Sequence, residues 1–498
     1  MKMLAAIRGM DFRPSQCRKA WSLGGPRAGS FTNWADAGIR TGLAILFLMQ
    51  TWSAHAQPGT LDPDFSPGAG VDQSVFAMVA QTDGKIIIGG DFTSVAGVSR
   101  NGIARLNTDG ALDSTFEPGS GADDLVNALV LQSDKVVIAG YFTQVYGTNQ
   151  GYFARLDGNG RLDGSFDSGT GADRPVLALA VQSDGKLLLG GEFTSINGAS
   201  RNQIARLNAD GSVDTDFNPG TGVGDVTLSS VRTLALQEDG KVVIGGVFAN
   251  VNGVARNNLA RLNSNGSLDS SFKPNVDLTG AGVLAGVYAV AVQRGGKILV
   301  AGDFTRINGI ARTNIARLNV DGSLDEAFDP GSGPDFAVNS VLVQSNGKIL
   351  IGGIFTQVSG TTRNYLARLN SNGELDGGFD PGLGADGTIY AAALQPDGKL
   401  LIGGSFTSFA GVPRQGIARL FGDAIVSAPL LVNPIHTDGV FRVSSATVNG
   451  GNYFLEFKDS LSDESWTALP AVAGDGTLRT LVDPSAAGAR RIYRVRAE

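Results

Sequence analysis

An all-β fold is predicted for this 498-residue chain: a seven-bladed β-propeller of four-stranded blades, closed by strands from its N- and C-terminal ends and followed by a small C-terminal β-sandwich. Three observations predict it. A unit of 50 to 56 residues recurs seven times, with its Ala-Arg-Leu tripeptide starting at Ala104, Ala154, Ala205, Ala260, Ala316, Ala367 and Ala418; periods of this size mark propellers and solenoids. Each unit divides into four short apolar or alternating runs separated by turn residues, the make-up of a propeller blade. A solitary Leu61–Phe65 segment precedes the first unit, and the last unit stops one strand short at Asp423.

The first unit shows the elements in order. Val75 to Gln81 is almost continuously apolar, as a strand covered on both faces must be. Thr82-Asp83-Gly84 is a hairpin turn, Asp-Gly accepting the positive φ that tight turns require. Lys85 to Phe92 forms the second strand, Thr93 to Asn101 a longer loop, Gly102 to Asn107 the third strand, and Ala111 to Phe116 the fourth. The template is rigid: 12 residues separate the second-strand Phe from the following Ala-Arg-Leu in all seven units. Two phenylalanine registers, Phe92 with its equivalents and Phe116 with its equivalents, are expected to pack between blades. The solitary Leu61–Phe65 strand should pair with Ala418–Asp423 and close the ring, removing the open edges that a sheet protein must otherwise protect.

Charge recurs at fixed positions. Across a three-residue turn at 108–110, Asn107 faces Ala111, Leu106 faces Leu112 and Arg105 faces Asp113. The same register predicts structural ion pairs Arg155–Asp163, Arg206–Asp214, Arg261–Asp269, Arg317–Asp325 and Arg368–Asp376, with Arg419–Asp62 across the closure. If solvent-exposed, each is worth roughly 0.2–1 kcal/mol.

Residues 1–56 differ in character. Seven basic residues precede the apolar run Gly42–Trp52, and Ala54-His55-Ala56 follows it. Basic region, short apolar run and small-x-small site read as a signal peptide cleaved after Ala56, with a secreted or cell-surface destination. The run is shorter than the ~20 residues a spanning helix needs, so the mature chain is expected to lack a membrane span. Loss of this leader leaves 33 basic and 45 acidic residues, a net charge of −12, which disfavours nucleic acid and anionic lipid as partners. The only cysteine, Cys17, leaves with the leader, so no disulfide supports the mature fold.

The unit, read as LDxxF, QxDGKilIGGdF and RNxiARLNxDG over Leu61–Asp423, resembles the delta-60 repeat of large exported bacterial proteins. That resemblance implies a β-propeller and export, and brings no established activity or catalytic residue. The second copy departs most, with Gln132-Ser133-Asp134-Lys135 lacking the turn glycine and Gln150 in place of the usual arginine. Beyond a linker at 424–435, residues 436–498 alternate as short strands starting near Val440, Tyr453, Thr477 and Arg491, which suits a small sandwich of immunoglobulin or fibronectin type. This tail is similar to C-terminal β-modules of other exported bacterial proteins that end in a Tyr-Arg-Val strand.

Function is less constrained. Residues 57–423 contain no His, Cys or Trp, which removes Ser-His-Asp and Cys-His nucleophiles and histidine or thiolate metal sites. After the Gly-Gly of the second strand stand Asp91, Glu192 and Asp303 in the first, third and fifth units. If they faced the channel they could hold a hard cation; no cofactor is expected, and calcium is the alternative the residues leave open. A ligand is expected on the face opposite the tight Asp-Gly hairpins, where the loops are longest. The two extended loops of the fourth and fifth units supply Asp225, Arg232 and Asp277. Tyr141, Tyr146 and Tyr152 surround one loop of the second unit and could form a stacking platform. The expected function is extracellular binding or scaffolding by a monomeric, non-enzymatic protein, its partner a glycan or a protein. The alternatives are a carboxylate- or metal-dependent glycan hydrolase or lyase and a structural envelope component.

Overall fold

The computed structural model describes residues 57–224, 229–278, 285–423, 431–447, 452–460, 465–474, 477–486 and 491–497. The expected leader and its expected cleavage site, the candidate Asp225 and the first part of the expected linker lie outside the described residues. All described regular structure is β, and no helix among the described residues is long and apolar enough to cross a membrane.

Seven blades form a closed ring. In the first, an inner strand Val75–Ala80 pairs antiparallel with Ile86–Gly90, which pairs with Ile103–Leu106. The inner strands of the other blades are Val126–Gln132, Val176–Val181, Ser230–Leu236, Gly286–Val292, Val338–Val343 and Ile389–Leu394. Each inner strand packs against the next, and the seventh packs against the first. The fourth strand is reduced to one ladder position per blade, such as Leu106 with Leu112 and Leu156 with Leu162. It is that short because the Asp one residue later bends the chain: the Asp113 carboxylate accepts the backbone N–H of Thr115 at 2.9 Å.

Both chain ends meet where expected. Leu61 pairs with Leu420, the Asp62 N–H donates to the Arg419 carbonyl at 2.8 Å, and the Phe421 N–H donates to the Thr60 carbonyl at 2.9 Å. Below this seam Phe65, Val71 and Val75 share one apolar cluster with Ala393, Leu401 and Ile417 of the seventh blade. Every other inter-blade layer has the same composition, with one phenylalanine from each register, for example Phe116 and Phe142 between the first and second blades.

The longer second-to-third loops fold as two-residue hairpins, such as Ser94–Val95 with Val98–Ser99. In five blades an aspartate at the foot of the preceding loop clamps them. Asp72 accepts the Thr93 and Ser94 N–H groups at 2.8 and 3.0 Å, and Asp123, Asp173, Asp335 and Asp386 repeat the motif.

The tail forms two small sheets. One orders Leu431–Thr437, Val440–Ala446 and Leu478–Asp483; the other pairs Asn452–Lys458 with Ile492–Ala497 and two short strands. Val443, Tyr453, Leu455 and Leu481 form their core. The expected linker is shorter than 424–435, because Leu431–Thr437 is already a strand. Pro434 falls within its register shift between Val432 and Ile435, the irregular position where a strand tolerates proline.

Candidate functional site

The predicted ion pairs are all present, and burial makes them something different from surface pairs. Arg Nε to Asp Oδ2 distances run from 2.6 to 2.9 Å, with arginine side chains 1–10% exposed and aspartates 0–10%. The value for a solvent-exposed pair therefore does not apply to them. The lysine that ends each first-to-second hairpin turn, from Lys85 to Lys399, also reaches the same Oδ2, at 2.6–3.1 Å. Each guanidinium further lies over a phenylalanine ring, as Arg105 over Phe116 at 5.0 Å. It then reaches the next blade: Arg105 Nη1 donates to the Gly158 carbonyl at 2.7 Å, Arg206 to Ser264 at 2.6 Å, and Arg419 to Thr108 across the seam. Arg368, whose neighbour is the shortened last turn, pairs instead with Asp423 at 2.9 Å. These residues are inter-blade staples.

Their titration bears on stability. Burial alone would raise each of the seven carboxyls, but hydrogen bonds and charge from lysine, arginine and backbone N–H groups outweigh it and hold all seven below the usual Asp value. Burial likewise opposes the shift at the loop clamp Asp386, which Thr407 and Ser408 lower to about 2. A carboxyl depressed in the fold stabilises fully above its unfolded value near 3.9 and loses that contribution as pH falls through the folded value. The melting temperature is thus expected to stay flat from pH 7 to about 4.5 and to drop steeply between about pH 4 and 2, as calorimetry can check. A decline already complete by pH 5 would exclude these carboxylates as its source.

The site itself arises from a backbone irregularity that all seven blades share. Register shifts by one residue near the start of every inner strand: between Val75 and Ala77, Val126 and Ala128, Val176 and Ala178, Val231 and Thr233, Val287 and Ala289, Val338 and Ser340, and Ile389 and Ala391. A β-bulge leaves its extra residue unpaired and re-aims that side chain. Here the extra residues are Phe76, Asn127, Leu177, Arg232, Tyr288, Asn339 and Tyr390, and all seven line one axial cavity of about 390 Å³. The bulge also explains the second Gly of each Gly-Gly or Ala-Gly pair. A Cβ on Gly90, Gly140, Gly191, Gly246, Gly302, Gly353 or Gly404 would overlap an inner-strand carbonyl oxygen beside the bulge, such as that of Ser74 or Thr388.

Two second-strand residues complete the lining, Tyr141 and Glu192. The cavity lies at the end of the channel away from the Asp-Gly hairpins, on the expected long-loop face. Phe76 and Tyr390 form a tilted aromatic pair with centroids 4.7 Å apart. The Arg232 guanidinium sits 5.3 Å from the Tyr288 ring centre and its Nε donates to the Ser230 hydroxyl at 3.2 Å. Burial first, and then the Glu192 carboxylate, raise the Tyr141 pKa; burial raises that of Tyr288 against the opposing charge of Arg232. Both phenols are neutral donors at physiological pH.

Of the residues expected to bind a ligand, Arg232 and Tyr141 meet in this cavity. The tyrosine platform does not form. Tyr146 and Tyr152 occupy left-handed backbone positions (φ 59° and 73°) that turn them away from Tyr141. Tyr146 donates its hydroxyl to the Glu117 carbonyl in the loop that follows the first blade, and Tyr152 packs on the layer between the second and third blades. Asp277 stands opposite Arg306 in a two-residue backbone ladder, at the position of the loop-clamp aspartates, and lines a separate pocket with Asn257 and Asn275. The proposed cation ligands Asp91, Glu192 and Asp303 are not brought together. Asp91 accepts the Ser74 N–H at 2.6 Å, Glu192 faces Tyr141, and no cluster of three acidic, His or Cys side chains exists among the described residues. Phe76, Asn127, Leu177, Tyr288, Asn339 and Tyr390 were missed by reading the sequence. Their signal was the one variable residue between a repeated Val or Ile and a small Ala, Ser or Thr.

A ring of seven sheet blades with a lined axial cavity defines a repeat β-propeller. Its repeats at 81–116, 132–166, 182–217, 237–272, 293–328, 344–379 and 395–423 match the family described as "Domain of unknown function (DUF5122) beta-propeller", and residues 81–423 belong to that repeat family. No curated protein matches the chain. Among solved structures, it is similar to YCF48 bound to D1 peptide (13% identity, 73% of this chain and 99% of that one, TM-score 0.39). It is also similar to Sqt1 from Chaetomium thermophilum (15%, 77% and 97%, TM-score 0.27) and to a glycoside hydrolase (14%, 89% and 96%, TM-score 0.24). Likeness this distant carries no argument about function.

Proposed function

We propose that the protein is exported and acts outside the cell as a non-enzymatic binding propeller, holding its ligand in the axial cavity of the long-loop face. The observation that carries this reading is the bulge ring. One irregularity, repeated in every blade, directs seven side chains of differing chemistry onto one axis while the scaffold around them stays uniform. Rigid scaffolds that vary only at a convergent concave site are built for recognition. The leader-like first 56 residues and the delta-60 resemblance support export.

A non-enzymatic role is supported by the lining. Glu192 is its single carboxylate, whereas most glycoside hydrolases flank the scissile bond with two. The test is capture of a ligand from extracellular material by the purified protein and its variants. Arg232→Ala is expected to weaken binding about ten-fold or more, the effect of one charged hydrogen-bonding contact, while Tyr146→Ala, outside the cavity, leaves it unchanged. Equal binding by Arg232→Ala and the parent protein would move the ligand site elsewhere.

A further inference from the structure

The cavity's chemistry narrows the ligand. We propose that it takes the end of a neutral saccharide chain, one or two sugar units entering along the propeller axis; this rests on the cavity being the ligand site. Sugar rings present an apolar C–H face and a rim of hydroxyl groups, and the cavity offers a complement to each. The Phe76–Tyr390 pair, with planes 36° apart, forms an aromatic wall for the C–H face. Asn127 commits its Nδ2 to the Leu177 carbonyl at 2.8 Å and Asn339 commits its own to the Ile389 carbonyl at 3.4 Å. Both amide oxygens therefore remain as acceptors in the lining, alongside the Glu192 carboxylate. Arg232 and the Tyr288 hydroxyl supply donors, while the Tyr141 hydroxyl already bonds the Glu192 carboxylate.

Charge and shape disfavour other ligands. One arginine and one glutamate give the lining no net charge, and the acidic mature chain repels polyanions. An extended peptide binds by adding to an open strand edge, but the two asparagines already occupy inner-strand carbonyls of neighbouring blades. A volume of about 390 Å³ lies near the lower end of the ~300–1,000 Å³ of ligand pockets, which suits a chain terminus better than a long segment laid flat.

The test is an array of neutral glycans, acidic glycans and peptides probed with the purified protein, followed by calorimetric titration of the best ligand. A neutral glycan is expected to bind. Tyr390→Ala should weaken it at least ten-fold, Tyr390→Phe should keep most of the affinity because the stacking face survives, and Asn339→Leu should weaken it several-fold, with unchanged melting temperatures. Binding confined to peptides or acidic glycans, and lost in Tyr390→Ala, would overturn the saccharide assignment and leave the cavity as the site. Binding of any ligand that Tyr390→Ala and Asn339→Leu both leave intact would overturn the two readings together, as would silence across the whole array.

Discussion

Replacing Asp62 with alanine is expected to destabilise the propeller by about 3–5 kcal/mol, the cost of stranding buried charge by removing its partner. Asp62 is fully buried and carries Arg419 at 2.7 Å and Lys399 at 2.9 Å. Both cations belong to the last blade and Asp62 to the N-terminal closing strand, so this one carboxylate joins the two ends. Its loss leaves Arg419 over the Phe65 ring with its Nε unanswered. Chemical denaturation of Asp62→Ala beside the parent protein measures the effect. Glu117→Ala, which removes an ion pair whose partners are 58% and 62% exposed, should leave the midpoint unmoved. Equal, small effects of the two substitutions would show that burial of the staples contributes nothing.

The second large effect is expected at Gly404. A Cβ there would overlap the Thr388 carbonyl, next to the bulge that aims Tyr390 at the axis. Gly404→Val forces either the second strand or the bulge to move, at about 1–3 kcal/mol or more for overpacking. Because the shift displaces Tyr390, ligand binding should fall together with stability. Gly377→Ala is the control: a Cβ there meets nothing within 4 Å, so its stability should stay within about 0.5 kcal/mol of the parent. A Gly404→Val protein of parental stability would mean that the bulge does not need the glycine.

How much of this was readable from residues alone follows from physics. Repetition exposed the blade template, since seven copies separate what a blade requires from what it tolerates. The Arg105–Asp113 register came from counting across a three-residue turn, and the closure from two unpaired ends. The lysine as second partner of Asp113 was not read, because Lys85 reaches it from the neighbouring hairpin, 28 residues away. Burial of the pair also escaped notice, since it depends on the next blade. The cavity was hidden because a bulge is a property of register between two strands and leaves no mark in the periodicity of either one. Tyr141, Tyr146 and Tyr152 were grouped by proximity in sequence, whereas left-handed backbone at the latter two sends the three side chains to three different environments. Arg232 was singled out for its place after an extended loop, and it is the bulge that turns it toward the axis.

The axial cavity exists only if the ring is closed, so closure is the claim on which the account depends. Leu61 and Leu420 form a bridge whose flanking residues make the backbone hydrogen bonds. Such pairs bring Cα atoms to about 4.5 Å and suit a disulfide. Apart from Cys17 the chain has no cysteine, so a Leu61→Cys, Leu420→Cys double variant reports on this pair. Mass spectrometry after mild oxidation is expected to find an intramolecular disulfide, with a melting temperature above that of the reduced form. Two free thiols, or bridges only between molecules, would contradict the closed seven-bladed ring.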